Sequence, residues 1–483
     1  MLVSSKINLF RRKSMNMLGK VISLMGAIVF AFTLGVIGGS AHADESRVIA
    51  IVNGMLLDGY EANPIHDSVV IIKGNKILQA GHKSDVKIPK GAHIIDASGK
   101  TVMPGLIDLH GHLELLGHGN YKEYYKFING TSRLDEMRRI ASRQLLRAGV
   151  TSFVDLGSTP GILKTKKDIN EGKIPGPRLI VSGPWITRLP VNIVPAEMAH
   201  VVSSTKEARM KTIENIEAGY DIIKAWEGLT QADYNAIVEE AHKRGVKVHA
   251  HLYHPDKIDM ALNAGVDVLQ HMGSAKNPPY SQELLSRVAH SHKPVIQTVA
   301  HRIWIYPATV AFPARLQDSR LKETLPKKLY EEFQRSFKNF HRKPYFRNVE
   351  LEIKNAKIAS RQFIEAGALI GVGTDGGSPM NFHTESMWRE MGALVDSGMS
   401  PIAVLSAATK TNGEVLGKMK LLGGKRQLGT IEPGMLADII IVDGDPRYSM
   451  SILNKPDLVI KDGVPWYTAD NETPLLKKIG RKF

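Results

Sequence analysis

Between Pro104 and Asp375, short apolar runs alternate with longer helical stretches, and that alternation constrains the fold more than any other feature of the chain. Eight runs have strand length: residues 106–109, 151–155, 178–182, 222–225, 247–250, 268–270, 295–299 and 369–373. Strands that are apolar at consecutive positions and separated by helices belong to parallel sheets covered on both faces. Eight is the strand number of a (β/α)8 TIM barrel, so the expected fold is an α/β barrel over residues 105–416.

The grammar differs at the two ends. Residues 44–104 read as short β-segments punctuated by Asn53-Gly54 and Gly74-Asn75, and β-segments return over 417–483 after the helical stretch that ends near Leu416. The two ends are expected to pair into one small, β-sandwich-like domain. Residues 310–350 form a long basic and aromatic insertion between the last two barrel strands, which suggests a lid or a contact in a homo-oligomer.

Residues 1–43 stand apart. Lys6, Arg11, Arg12, Lys13 and Lys20 precede an apolar stretch over 21–37, and Ala41-His42-Ala43 follows, with no acidic residue before Asp44. This is the pattern of a signal peptide, so the mature chain is expected to be periplasmic or secreted, with no stable membrane span after cleavage. The chain has no cysteine, so neither disulfides nor thiolate metal ligands are open to it. The net charge of +15 is spread over scattered lysines and arginines without a nucleic-acid motif, which reads as a solvated surface.

The strongest local signal is Met103-Pro104-Gly105-Leu106-Ile107-Asp108-Leu109-His110-Gly111-His112. His110 and His112 sit two apart at a strand end, so their imidazoles project to the same side. In a barrel that side is the interior, at the mouth where catalysis occurs. Two neutral imidazoles there make half a metal site. Other polar residues also fall at predicted strand ends: Lys224, His249 and His251, His271, and Asp375. Taken singly, these are a surface lysine, core histidines and a helix-capping aspartate. Their shared position is what makes them a constellation.

The chemistry accounts for the set. Amide hydrolysis at neutral pH needs a hydroxide, a polarised carbonyl and a proton shuttle. Two divalent ions, zinc by expectation and about 3.5–4 Å apart, can supply the first two. A carboxylate such as Asp375 can carry the proton. Lys224 fits such a site only when deprotonated or converted by CO2 into a carbamate with two ligating oxygens.

With these residues in place, the chain resembles the amidohydrolase superfamily, through the Pro-Gly-Leu-Ile-Asp-Leu-His-Gly-His segment, the strand-end Lys, His, His and Asp, and Gly429-Thr-Ile-Glu-Pro-Gly434 with the β-segments after it. Within it, the chain is most similar to imidazolonepropionase-related, lysine-containing dipeptidases of the Xaa-Pro and Xaa-Arg type. The resemblance implies that His110, His112 and Asp375 hold one ion, that His251 and His271 hold a second, and that carboxylated Lys224 bridges them. The fifth-strand ligand is assigned to His251, six residues after Gly245 and fourteen before Gly265, with His249 as the alternative or as a substrate contact. Tyr253 stands where the family often has a second histidine and can donate to an oxyanion. Gln270 replaces a glutamate that commonly precedes the sixth-strand histidine.

The implied activity is hydrolysis of dipeptides or N-acyl amino acids by attack of a metal-bridging hydroxide. The alternative is an amidohydrolase acting on a cyclic amide, lactone or phosphotriester. A mononuclear deaminase-like site would want a glutamate at position 254, which is His, and would leave Lys224 idle. A scaffold that had lost its chemistry would lack ligands, and none is missing. For the carboxylate of a small-molecule or dipeptide substrate, Arg188, His254, His301 and Arg302 are candidate anchors on barrel loops.

Overall fold

The strands Leu106–Gly111 and Val150–Asp155 are buried at every position, which is why neither shows polar alternation. The computed structural model describes residues 47–272, 278–338, 348–419 and 422–468. The leader expected over 1–43 lies outside the described residues, as do 420–421 and 469–483 of the 417–483 segment and 339–347 of the 310–350 insertion. Among the described residues, no helix is long and apolar enough to cross a membrane.

Two parallel sheets carry the central α/β unit. One has three strands, Leu106–Gly111, Val150–Asp155 and Arg178–Val181. The other has seven, in the order Ala199–Val201, Trp185–Thr187, Ile222–Ala225, Lys247–His251, Val268–Gln270, Val295–Ile296 and Ile370–Gly371. Ile107, Leu109, Val154, Ile180, Ile222, Val268 and Ile296 meet in one apolar cluster. Truncating one of them, Leu109→Ala for example, costs roughly 2–5 kcal/mol.

Two departures from the expected strands have local causes. The third strand breaks after Val181: Gly183 turns with φ +63°, where a Cβ would meet the Tyr220 ring at 2.4 Å, and Pro184 follows. The chain resumes as Trp185–Thr187, whose Ile186 pairs with Ala225. The seventh strand is shorter than its apolar run. Thr298 takes φ +51°, and the amides of Val299 and Ala300 are drawn to the Glu390 carboxylate at 3.0 and 2.8 Å.

The sheet edges exchange further backbone bonds. Asp221 N donates to the Val181 carbonyl at 2.9 Å, Leu109 N to Val372 at 3.1 Å and His112 N to Gly376 at 2.9 Å, and Gly111 bridges Gly376 in parallel.

Strands from both ends of the described chain share one eight-stranded sheet, in which Lys100–Pro104 pairs antiparallel with Ile439–Asp443. Along Val48–Leu56, Ile49 and Ile51 enter one apolar cluster while Ala50 and Val52 enter another, as a period of two requires when both faces are covered. Arg178 joins this sheet to the three-stranded parallel sheet. Its guanidinium meets Asp438 at 2.7 Å and also reaches Asp462 and Ser152.

The insertion folds over the loops that follow the first and last strands. Phe333 and Phe337 are buried on the helix Lys327–Phe337; Phe333 packs edge-on against His118 with centroids 5.1 Å apart, and Phe337 against Phe382 at 5.7 Å. Ser336 accepts the Gly119 amide at 3.0 Å, while Arg315 pairs with Glu385 and donates to the Met380 carbonyl at 2.8 Å.

Candidate metal centre

Asp108 frames the site without facing it. One carboxylate oxygen accepts the amides of His110 and Thr374, both at 3.0 Å, and the other accepts the Thr374 hydroxyl at 2.7 Å. The end of the first strand is thereby tied to the end of the eighth. Burial pushes the Asp108 carboxyl up to about 7 despite these three bonds. Asp375 follows Thr374 with φ +55°, a left-handed conformation uncommon for aspartate. Its Oδ1 lies 3.1 Å from His112 Nε2 and 3.7 Å from His110 Nε2. Ligand atoms of His110, His112 and Asp375 all fall within 4.8 Å of one another.

A second group adjoins the first. The His271 ring lies 4.3 Å from the His110 ring and 4.3 Å from the His251 ring. His271 also adopts a left-handed φ, +62°, and its Nδ1 contacts the Thr298 hydroxyl at 2.8 Å. Tyr253 sets its ring 4.4 Å from His251 and 5.3 Å from His271. The Glu227 carboxylate lies 3.2 Å from His251 Nε2.

Lys224 is 1% exposed, is the register partner of His249 on the neighbouring strand, and its Nζ has no hydrogen-bond partner among the described residues. Burial pushes its ammonium down to about 7, with Asp375 pulling the other way. Burial likewise lowers His249 to about 3 and His251 to about 4, and holds His110 and His271 well below the usual imidazole range, with the Lys224 charge adding to each. The histidines are neutral at physiological pH, the form that ligates metals.

Gln270 lies between two of them. Its Oε1 is 2.7 Å from His110 Nδ1, while its Nε2 is 3.0 Å from His249 Nδ1 and donates to the Leu109 carbonyl at 3.3 Å.

Two tryptophans wall one side. Trp185 lies edge-on to His112 at 6.0 Å and stacks on Trp226 at 4.7 Å, and Trp226 lies 5.7 Å from His251. Gly157 makes room for Trp185, since a Cβ there would sit 1.9 Å from the indole nitrogen. Sequence reasoning missed this wall, Asp108 and Glu227. Trp226 shares strand parity with Lys224, which was the one available signal.

The candidate substrate anchors are placed differently. His249 is fully buried beside Lys224. His254 is exposed at the N-terminus of the helix Pro255–Ala264, where its carbonyl accepts the Lys257 and Ile258 amides. Arg188 is bound to Asp233 through bonds of 2.8 and 2.9 Å. Against the upward push of burial, Arg188 and the Thr205 and Thr230 hydroxyls hold the Asp233 carboxyl at about 2. Arg302 pairs with Glu352 at 2.7 Å. Of His301 only the backbone is described, at the start of the turn His301–Ile305.

The donor set fits a divalent metal. Among the described residues, His110 Nε2 and Lys224 Nζ are buried nitrogens without hydrogen-bond partners, and both interact electrostatically with Asp375. Leaving such groups unpaired costs several kcal/mol unless an ion or other group satisfies them.

Known proteins resemble the chain over most of its length. The chain is 23% identical to ochratoxinase of Aspergillus niger over 469 residues, covering 87% of this chain and 86% of that protein. A solved structure of a candidate prolidase from Bifidobacterium longum superposes with a TM-score of 0.68 at 26% identity, covering 88% of this chain and 96% of the other. A Xaa-Pro dipeptidase structure with methionine in its active site gives a TM-score of 0.66 at 22% identity, covering 87% and 100%. The profile of the amidohydrolase family matches residues 101–465. That span takes in all of the strand-end residues assembled above, and the chain belongs to the amidohydrolase family.

Proposed function

We propose that this chain is a binuclear, metal-dependent amidohydrolase that cleaves the amide bond of dipeptides or N-acyl amino acids, within the imidazolonepropionase-related, lysine-containing dipeptidase group. His110, His112 and Asp375 would hold one ion, His251 and His271 the other, with carboxylated Lys224 between them. The observation that carries this reading is Lys224 itself, a buried amine with no partner beside four imidazoles. A mononuclear site has no use for it.

Carboxylation is a balanced step. The neutral Lys224 amine forms an N–C bond to CO2 and releases one proton, and the fall of its pKa to about 7 supplies that neutral amine at physiological pH. Divalent ions held here, zinc by preference, supply Lewis acidity toward water and the scissile carbonyl. Asp375 takes a proton from the attacking water and delivers it to the leaving nitrogen. The Tyr253 hydroxyl donates to the oxyanion that develops as the carbonyl carbon becomes tetrahedral. The Trp185–Trp226 wall excludes water from one side.

The same reading takes the two parallel sheets as one closed (β/α)8 barrel, supported by the Asp221–Val181, Leu109–Val372 and His112–Gly376 bonds. It takes the eight-stranded sheet as a small domain drawn from 44–104 and 417–483, residues 1–43 as a signal peptide directing the enzyme to the periplasm or outside the cell, and the insertion as a cover or a homo-oligomer contact. The test is a library of dipeptides and N-acyl amino acids offered to the zinc-loaded enzyme in bicarbonate, with lactones and phosphotriesters alongside. Turnover of amides is expected. Turnover of lactones or phosphotriesters alone would replace this assignment.

A further inference from the structure

We infer that Gln270 sorts the two imidazoles it touches into opposite tautomers, leaving His110 with a lone pair at Nε2 and His249 with a hydrogen there. The amide orientation is set by the backbone. Its Nε2 faces the Leu109 carbonyl at 3.3 Å, and a reversed amide would set two oxygens against each other. With the orientation set, Oε1 can only accept, so the His110 Nδ1 at 2.7 Å carries the hydrogen. The amide nitrogen can only donate, so the His249 Nδ1 at 3.0 Å carries the lone pair.

A neutral imidazole ligates through the nitrogen that lacks hydrogen. His110 is therefore presented to an ion through Nε2. His249, equally buried, presents an N–H at Nε2, where it has no acceptor among the described residues. It is a donor into the site, not a ligand. This rests on the site being a metal centre and deepens that reading: it leaves His251 as the fifth-strand ligand and gives His249 the task of binding an oxygen that enters the site. A glutamate at position 270, protonated on the oxygen that faces the Leu109 carbonyl, would accept from both imidazoles, put hydrogen on both Nδ1 atoms and leave both Nε2 atoms competent to ligate. The choice between His249 and His251 is thus made by one side-chain amide on the next strand.

The test uses the full-length protein labelled with 15N-histidine, metal-free and zinc-loaded, with long-range 1H–15N spectra assigned through single histidine variants. The expected spectra show His110 protonated at Nδ1 and His249 at Nε2, and one shared tautomer overturns the proposal. In Gln270→Glu, His249 is expected to move its hydrogen to Nδ1 while His110 keeps its own; an unchanged His249 also overturns it. If that variant fails to fold, the wild-type spectra still decide. By metal analysis, His249→Asn should keep the wild-type metal content while His110→Asn and His251→Asn lose metal, and loss in His249→Asn counts against the donor role. None of these readouts needs a substrate, so absent amide turnover with the expected tautomers would sink the hydrolase assignment alone.

Discussion

The amide of Asp375 donates to the carbonyl of His110 at 2.7 Å, so two candidate ligands from the ends of two different parallel sheets share a backbone hydrogen bond. Their backbones cannot move apart without breaking it. Asp375→Ala keeps this bond and removes only the carboxylate, so the fold should survive. With the proton carrier gone, kcat is expected to fall by ~10²–10⁴-fold. Metal content should drop as well, measured by elemental analysis on the purified variant. Unchanged kcat would remove Asp375 from the chemistry.

Lys224→Ala should abolish turnover and lower metal content, because the bridging oxygens are lost. Acetate or propionate should restore part of the activity by supplying a carboxylate in the vacated space. For the wild-type enzyme, reconstitution in bicarbonate should weaken as the pH drops below about 7, where Lys224 becomes protonated and cannot attack CO2. Reconstitution at pH 6 equal to that at pH 8 would argue against the carbamate.

The buried histidines make a signed prediction for the metal-free protein. His249 and His251 are lowered to about 3 and about 4 in the folded chain, while unfolded histidine titrates at about 6.5. As the pH falls through 6.5, the unfolded state binds protons that the folded state refuses, so stability drops from about 6.5 down to about 4 for His251 and about 3 for His249. Urea midpoints should decrease from pH 7 to pH 5, and His249→Asn should show a shallower decrease. A flat profile would contradict the burial of these rings.

Arg178→Met should destabilise the protein by about 3 kcal/mol, since it strands the buried Asp438 carboxylate and removes the tie between the eight-stranded sheet and the three-stranded parallel sheet. Chemical denaturation reads this directly. A loss below about 0.5 kcal/mol would mean that the pair contributes no more than a surface ion pair.

Gly157→Val should displace Trp185, because even a Cβ would overlap the indole nitrogen. The expected outcome is a raised KM with a red-shifted or broadened tryptophan emission, since Trp185 leaves a buried seat. A variant with the wild-type KM would show that the Trp185–Trp226 wall does not touch the substrate.

Much of the α/β organisation could be read from the chain because burial on both faces leaves a local mark. Parallel strands such as Val150–Asp155 stay apolar throughout, and helices such as Gln231–Lys243 announce themselves by a capping box, here Thr230 with Asp233. The third strand was less legible. Nothing local distinguishes a Gly183-Pro184 break that ends an element from one that re-aims it toward the fourth strand.

The sequence by itself determined that His110 and His112 share a side, since side chains two apart on a strand must do so, and that Lys224, His249 and His251 occupy strand ends. Only the tertiary structure decided which of these groups meet, that Asp108 clasps Thr374, that Trp185 reaches His112, and that the Gln270 amide points its oxygen at one histidine and its nitrogen at another. The reason is physical. Periodicity is a property of neighbours along the chain, whereas the orientation of a buried amide is set by whichever donors and acceptors distant strands bring within reach.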